Sequence, residues 1–88
     1  MASDQRIAHQ LGNAVRRLRL QSDQTRHQLA GSAGISRAAL SGIERGRRLP
    51  SVPELARLLA ALACTEDGFL RHFGPAGEVE AIRRRGVL

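Results

Sequence analysis

Apolar residues recur along this chain at the spacing of helix faces, and turn residues divide them into short segments. The first segment has one apolar face, made of Ile7, Leu11, Ala14, Val15 and Leu18. This spacing predicts a helix that is capped by Ser3 or Asp4 and ends at residues 21–23. No segment shows the alternation of apolar and polar residues that is typical of a strand.

Four later segments each begin with a residue suited to cap a helix. Thr25 and Gln28 have the spacing of a capping box. Ser51 and Glu54 repeat that spacing, whereas Ser36 and Thr65 are simple N-caps. The caps precede apolar positions, which are Leu29 and Ala30; Ala39, Leu40 and Ile43; Leu55, Leu58, Leu59 and Leu62; and Phe69, Leu70 and Phe73. The pattern predicts an all-α chain, a compact bundle of about five short helices.

Glycine and proline mark the ends of the helices. Gly31 and Gly34 are expected in the turn after the second helix, where Gly34 suits a positive φ angle. Gly74-Pro75 is expected to stop the fifth helix. A chain of 88 residues has room for one domain, predicted over residues 1–74. Residues 75–88 form a C-terminal tail, either one more short helix or a frayed end.

The positive charge lies in one part of the chain. All fourteen basic residues are arginine, and the formal net charge is +6. Residues 1–12 and 49–88 are each neutral, so the whole excess lies in residues 13–48. Such a segment favours a polyanionic partner. The alternative is an arginine-rich surface that only keeps the protein in solution.

Other kinds of chemistry are poorly represented. A single cysteine, Cys64, excludes an intramolecular disulfide, and three scattered histidines give no set of metal ligands. We find no arrangement typical of a nucleophilic enzyme and no glycine-rich phosphate loop, and we therefore predict no enzyme and no cofactor. The sequence also has no secretory signal and no apolar run long enough for a membrane span, which predicts a cytoplasmic protein without membrane contact.

Residues 25–46, TRHQLAGSAGISRAALSGIERG, carry the informative motif. Two short helices are joined by a turn at residues 33–35, and the small Ala30 lets the second helix cross close to the first. Both helices contribute to an apolar wedge of Leu29, Ile35, Leu40 and Ile43. This is the spacing of a helix-turn-helix, whose second helix enters the major groove of DNA.

With Arg19 before it and Pro50-Ser51 after it, the segment resembles the lambda-repressor-like (Cro/C1, Xre-type) family of bacterial and phage DNA-binding domains. The resemblance runs from about Leu11 to Phe73 and rests on the pattern L-A…A-G-I-S…L-S-x-I-E-R-G-x-R-x-P-S. It implies a five-helix bundle in which the helices that begin at Thr25 and Ser36 are placed on double-stranded DNA. It also implies that Arg19 pairs with Glu44, which would tie the first helix to the third.

Base reading requires side chains on the exposed N-terminal face of the Ser36 helix. The candidates are Ser36, Arg37, Ala38 and Ser41. Arg37 is the only long one, and arginine bonded to guanine is the commonest specific contact, although a phosphate contact is the alternative. Gly42 departs from the family, which usually has a long polar or basic residue there. The recognition surface is therefore sparse.

Phosphate contacts are better provided for. The N-terminus of the Thr25 helix offers free N–H groups and a partial positive charge. The phosphate-contacting candidates are Thr25, Arg26, Arg45, Arg47 and Arg48, and for any single arginine the alternative is a solvated surface charge.

Two functions fit this pattern. The first is a transcriptional regulator located at the nucleoid, which binds a palindromic operator as a homodimer with the 36–45 helix in the major groove and the C-terminal tail in the dimer contact. The alternative is an antitoxin-type or adaptor module that binds a toxin or another regulator and autoregulates its operon.

Overall fold

The computed structural model describes residues 2–71, and all of the regular structure in this range is helical. The helices are α1 (Ala2–Gln21), α2 (Arg26–Ala33), α3 (Arg37–Glu44), α4 (Val52–Ala61) and α5 (Glu66–Leu70). The all-α bundle predicted from the apolar spacing is confirmed. The predictions about Phe73, Gly74-Pro75 and the tail 75–88, and about the side chain of Leu70, lie outside the described residues. No helix in the described range is long and apolar enough to cross a membrane.

The four N-caps predicted from the sequence are present. In each, the side-chain oxygen accepts a hydrogen bond of 3.0–3.2 Å from the backbone N–H three residues later. In the two capping boxes, the side chain of that later residue also accepts a bond of 2.9 Å from the N–H of the cap. Each cap satisfies N–H groups that the helix itself leaves unbonded. The caps are Thr25, Ser36, Ser51 and Thr65.

Two predictions about helix ends are wrong. The first helix begins at Ala2, so neither Ser3 nor Asp4 is its cap. Alanine is the best helix former, and the helix that begins at Ala2 extends past both residues. Gly31 lies inside α2 rather than in the turn. Gly34 alone supplies the left-handed conformation there, with φ at 68°.

The hydrophobic core takes side chains from all five helices. Its fully buried large side chains are Leu11, Val15, Leu29, Leu40, Ile43, Leu55, Leu58 and Phe69. Three members of the predicted wedge are among them, and Ile35 packs against the same cluster while half-buried. The N–H of Ile35 also bonds the carbonyl of Ala30 at 3.0 Å, which closes the turn between α2 and α3.

A backbone contact fixes α3 against α1. A methyl group on Gly12 would overlap the carbonyl oxygen of Ile43 and lie 2.9 Å from that of Glu44. Glycine at this position therefore lets the first helix approach the end of the third at backbone distance. The result is that α3 is held from behind by α1, and its opposite side is left exposed.

Candidate nucleic-acid interface

The exposed side of α3 holds the residues predicted to read bases. Arg37 and Ala38 are exposed, and Ser41 is half-buried. Ser36 is exposed as well, but its Oγ already accepts a hydrogen bond of 3.0 Å from the N–H of Ala39. Its hydroxyl proton is left for a further acceptor. The structure thus brings all four onto the first turns of one helix.

Gly42 leaves open space beside these residues. A methyl group built on it would meet only the Cγ atom of Arg48, at 4.0 Å. No steric reason therefore requires glycine at this position. Because glycine has no side chain, the backbone of α3 can approach another surface closely at this position.

Both helices of the helix-turn-helix begin with an arginine. Arg26 is the first residue of α2 and Arg37 the first of α3, and neither helix has an acidic residue in its first turn. By contrast, Glu54 lies in the first turn of α4. A cation at a helix N-terminus opposes the positive end of the helix dipole, at a cost of about 0.3–1 kcal/mol. Each of these two helix N-termini therefore favours an anion.

Glu44 binds two arginines at the end of α3. Its side chain is 1% exposed, and its Oε2 accepts from Nε of Arg19 at 2.7 Å. The Oε1 atom accepts from Nη2 of Arg19 at 3.1 Å and from Nε of Arg26 at 3.0 Å. Nη1 of Arg19 also donates to the carbonyl oxygen of Gln24 at 2.9 Å. The cluster therefore joins α1, α2 and α3, and it keeps one net positive charge.

The two arginines of this cluster differ in exposure. The side chain of Arg19 is 7% exposed, which fits the structural pairing role that the resemblance implies. The side chain of Arg26 is 41% exposed, and it is bonded through Nε alone among the contacts of the described residues. Its two terminal NH₂ groups are therefore available beside Thr25, at the N-terminus of α2. The sequence did not reveal this second partner of Glu44.

The arginines that follow α3 are not equivalent. Arg48 makes a two-pronged ion pair with Glu54, with Nη–Oε distances of 3.1 and 2.9 Å. This contact holds the pKa of Glu54 at about 2 and raises the pKa of Arg48. Arg45 and Arg47 are exposed and have no acidic partner among the described residues.

Arg57 has a role that sequence reasoning missed. From α4, its Nε donates to the carbonyl oxygen of Ala33 at 3.0 Å. The carbonyls at the end of α2 lack partners within the helix, so a cation there both satisfies one and matches the helix dipole. This contact holds α2 on α4. The sequence carries no signal for this contact, because Ala33 lies 24 residues before Arg57.

The comparisons with known proteins agree with this geometry. A family model described as a helix-turn-helix domain matches residues 10–71. The chain therefore belongs to the helix-turn-helix family of DNA-binding transcription regulators, and the resemblance to Xre-type domains is confirmed. No curated protein matches the chain significantly.

Solved structures of similar domains come from bacterial regulators. The restriction-modification controller protein C.AhdI from Aeromonas hydrophila is 27% identical, with a TM-score of 0.68 over 70% of this chain and 94% of its own. The clp gene regulator ClgR from C. glutamicum is 28% identical, with a TM-score of 0.72 over 86% of this chain and 92% of its own. The controller C.Esp1396I, solved as a tetramer with its natural 35 base-pair operator, shares the fold at 21% identity. Its TM-score is 0.70 over 88% of this chain and 95% of its own.

Proposed function

We propose that this chain binds a palindromic operator as a homodimer, with α3 in the major groove of each half-site. Arg37 is the main base-reading residue, and Ser36, Ala38 and Ser41 add short-range contacts. The observation that carries the proposal is Arg37, an exposed cation at the start of α3 with no acidic residue in that turn, because it opposes the helix dipole in the free protein and is favourable beside an anion. The domain acts by binding, without a catalytic step.

Phosphate contacts flank the recognition helix in this proposal. The free N–H groups at the start of α2, beside Thr25, and the terminal NH₂ groups of Arg26 contact the phosphates on one side of the major groove. Arg45 and Arg47 contact the phosphates on the other side. With these three arginines per protomer on phosphates, a dimer makes about six contacts, and log K should fall against log salt with a slope of about −5.

The dimer follows from the small size of the reading surface. One helix with a single long reader specifies few bases, and a two-fold axis with half-sites about 34 Å apart doubles the contacts. C.Esp1396I, which shares the fold, binds its natural 35 base-pair operator as a tetramer, which supports binding of the operator by more than one copy of such a domain. Deleting residues 76–88 and measuring the mass in solution tests whether the tail forms the dimer contact. A truncated protein that stays dimeric with full operator affinity would exclude the tail.

The experiment that tests base reading begins with selection of bound duplexes from random DNA. We expect Arg37→Ala to reduce the discrimination between the selected operator and random DNA by about 1–3 kcal/mol. Arg47→Ala is the matched control, because it should weaken binding to both duplexes equally. Unchanged discrimination in Arg37→Ala would assign Arg37 to phosphate contact instead.

A regulator of this type acts at the chromosome, which places it at the nucleoid in the cytoplasm. The alternative, in which a toxin or another protein is the main partner, stays a prediction. A toxin-like reading frame beside the gene, and co-purification of its product with this chain, would support it.

A further inference from the structure

The loop between α3 and α4 contains three arginines, and among the described residues only Arg48 has an acidic partner. Arg48 is bound by Glu54 through two parallel N–H···O bonds of 3.1 and 2.9 Å. The same carboxylate accepts a bond of 2.9 Å from the N–H of Ser51, as part of the capping box of α4. Glu54 is thus itself fixed by the helix that it caps. Its side chain is 21% exposed, against 42% for that of Arg48.

This ion pair has the geometry by which arginine grips a phosphate. A guanidinium binds a carboxylate or a phosphate with the same two-pronged arrangement, so Glu54 occupies the Nη1–Nη2 edge of Arg48, one of the two edges with which it could hold a DNA phosphate. A phosphate that displaced Glu54 would leave the Glu54 carboxylate without its arginine partner. The carboxylate would then lie next to the negative charge of the phosphate. Glu54 stays ionised throughout the neutral range, because its pKa lies at about 2.

We infer that Glu54 withholds Arg48 from the DNA backbone and thereby limits sequence-independent binding. The inference rests on the proposed function and refines it, since Arg45 and Arg47 remain as the backbone contacts of this loop. Arg48 is then a brace between the end of α3 and the start of α4, not the phosphate contact that the sequence predicts. The sequence-independent part of the affinity, which operator and random DNA share, is the property that Glu54 controls.

The test compares three variants of the full chain on a duplex of random sequence and on the selected operator. Glu54→Gln keeps an oxygen for the capping box but removes the charge that holds Arg48. Asp67→Asn makes the same change of net charge on α5, where Asp67 is exposed, and serves as the matched control. Arg48→Ala combined with Glu54→Gln removes both charges and leaves the net charge unchanged. Circular dichroism melting verifies that each variant is folded.

Each variant has a distinct expected result. In Glu54→Gln the slope of log K against log salt steepens by about 0.9 per protomer, so each protomer adds about an eightfold gain in binding to random DNA in 0.1 M salt. Binding to the operator tightens by the same factor, because the added phosphate contact is sequence-independent, and discrimination is unchanged. In Asp67→Asn and in the double variant the slope stays at the wild-type value.

Two results would overturn the inference. An unchanged slope in Glu54→Gln would mean that the carboxylate withholds nothing. A slope in the double variant that is shallower by about 0.9 per protomer would mean that Arg48 already contacts phosphate in the wild type. If the wild-type chain binds neither duplex, the proposed function fails and this inference fails with it. A wild-type chain that binds while Glu54→Gln behaves like Asp67→Asn removes the inference alone.

Discussion

Replacing Glu44 with alanine is expected to damage the fold before it affects recognition. The carboxylate is almost fully buried at the meeting point of three helices, and it accepts three N–H bonds from two guanidinium groups. Glu44→Ala removes all three bonds at once. It also leaves the side chain of Arg19, 7% exposed, with a buried positive charge and one remaining bond, to the carbonyl of Gln24.

The magnitude follows from the exposure of the two arginines. Breaking a buried ion pair from one side costs about 3–5 kcal/mol, because the partner charge stays desolvated. Arg26 is half-exposed and can turn to water, so the uncompensated charge is essentially that of Arg19. We therefore expect a loss of about 3 kcal/mol of unfolding free energy, at the low end of that range. In a domain whose whole stability is about 5–15 kcal/mol, this is a large fraction.

Urea unfolding followed by circular dichroism measures this loss. Arg26→Ala is the internal control, since removing the exposed partner should cost less than about 1 kcal/mol. Arg19→Met combined with Glu44→Leu removes both charges, and we expect it to recover most of the loss because no charge is left buried and unpaired. A Glu44→Ala protein within about 1 kcal/mol of the wild type would refute the reasoning, because an exposed pair is worth no more than that.

Three further predictions come from the helix ends, the glycines and the loop. Arg37→Glu should raise the unfolding free energy by about 0.3–1 kcal/mol and abolish DNA binding, as measured by melting and by fluorescence anisotropy; a loss of stability would contradict the dipole argument. Gly42→Ala should stabilise the fold by about 1 kcal/mol, since the site is open and helical. Gly12→Ala should destabilise the fold, because the added methyl group overlaps the backbone of α3. Equal melting temperatures for the two variants would be inconsistent with this contact. The pKa of Glu54 is lowered from 4.5 to about 2, so its ion pair stabilises the fold above pH 4.5 and is lost as the pH falls towards 2. Wild type and Glu54→Gln should then differ by less than about 1 kcal/mol at neutral pH, and the difference should shrink as the pH falls from 4.5 through about 2.

The helix starts were predictable from the sequence because capping is local. Thr25 and Ser51 each bond a backbone N–H only three residues away, so the spacing of residue types contains the whole interaction. The wedge between α2 and α3 was predictable for the same reason, since apolar spacing determines which side of a short helix is buried. The start of α1 was not, because Ser3 and Asp4 are acceptable both as caps and within a first turn.

The partners of the arginines were only partly predictable. Arginine has a long flexible side chain, so spacing does not determine which acid it reaches. Glu44 stood out as a lone acid among arginines, yet its second partner, Arg26, lies 18 residues away and meets it only through the packing of α2 on α3. Glu54 was already accounted for by its capping box. A carboxylate has two oxygens, and the one lone-pair site used by Ser51 leaves room for Arg48.

The close approach at Gly12 has a consequence for the thermodynamics of association. Because the backbone of α1 touches the end of α3, α3 is preorganised, and under the proposed function little chain ordering should accompany its binding to DNA. Calorimetry of operator binding should then give a small negative heat-capacity change, in proportion to the contact area alone and without a contribution from coupled folding. A protein that docks as a rigid body in this way leaves the DNA to bend or twist towards it, so the flexibility of the operator becomes part of its affinity.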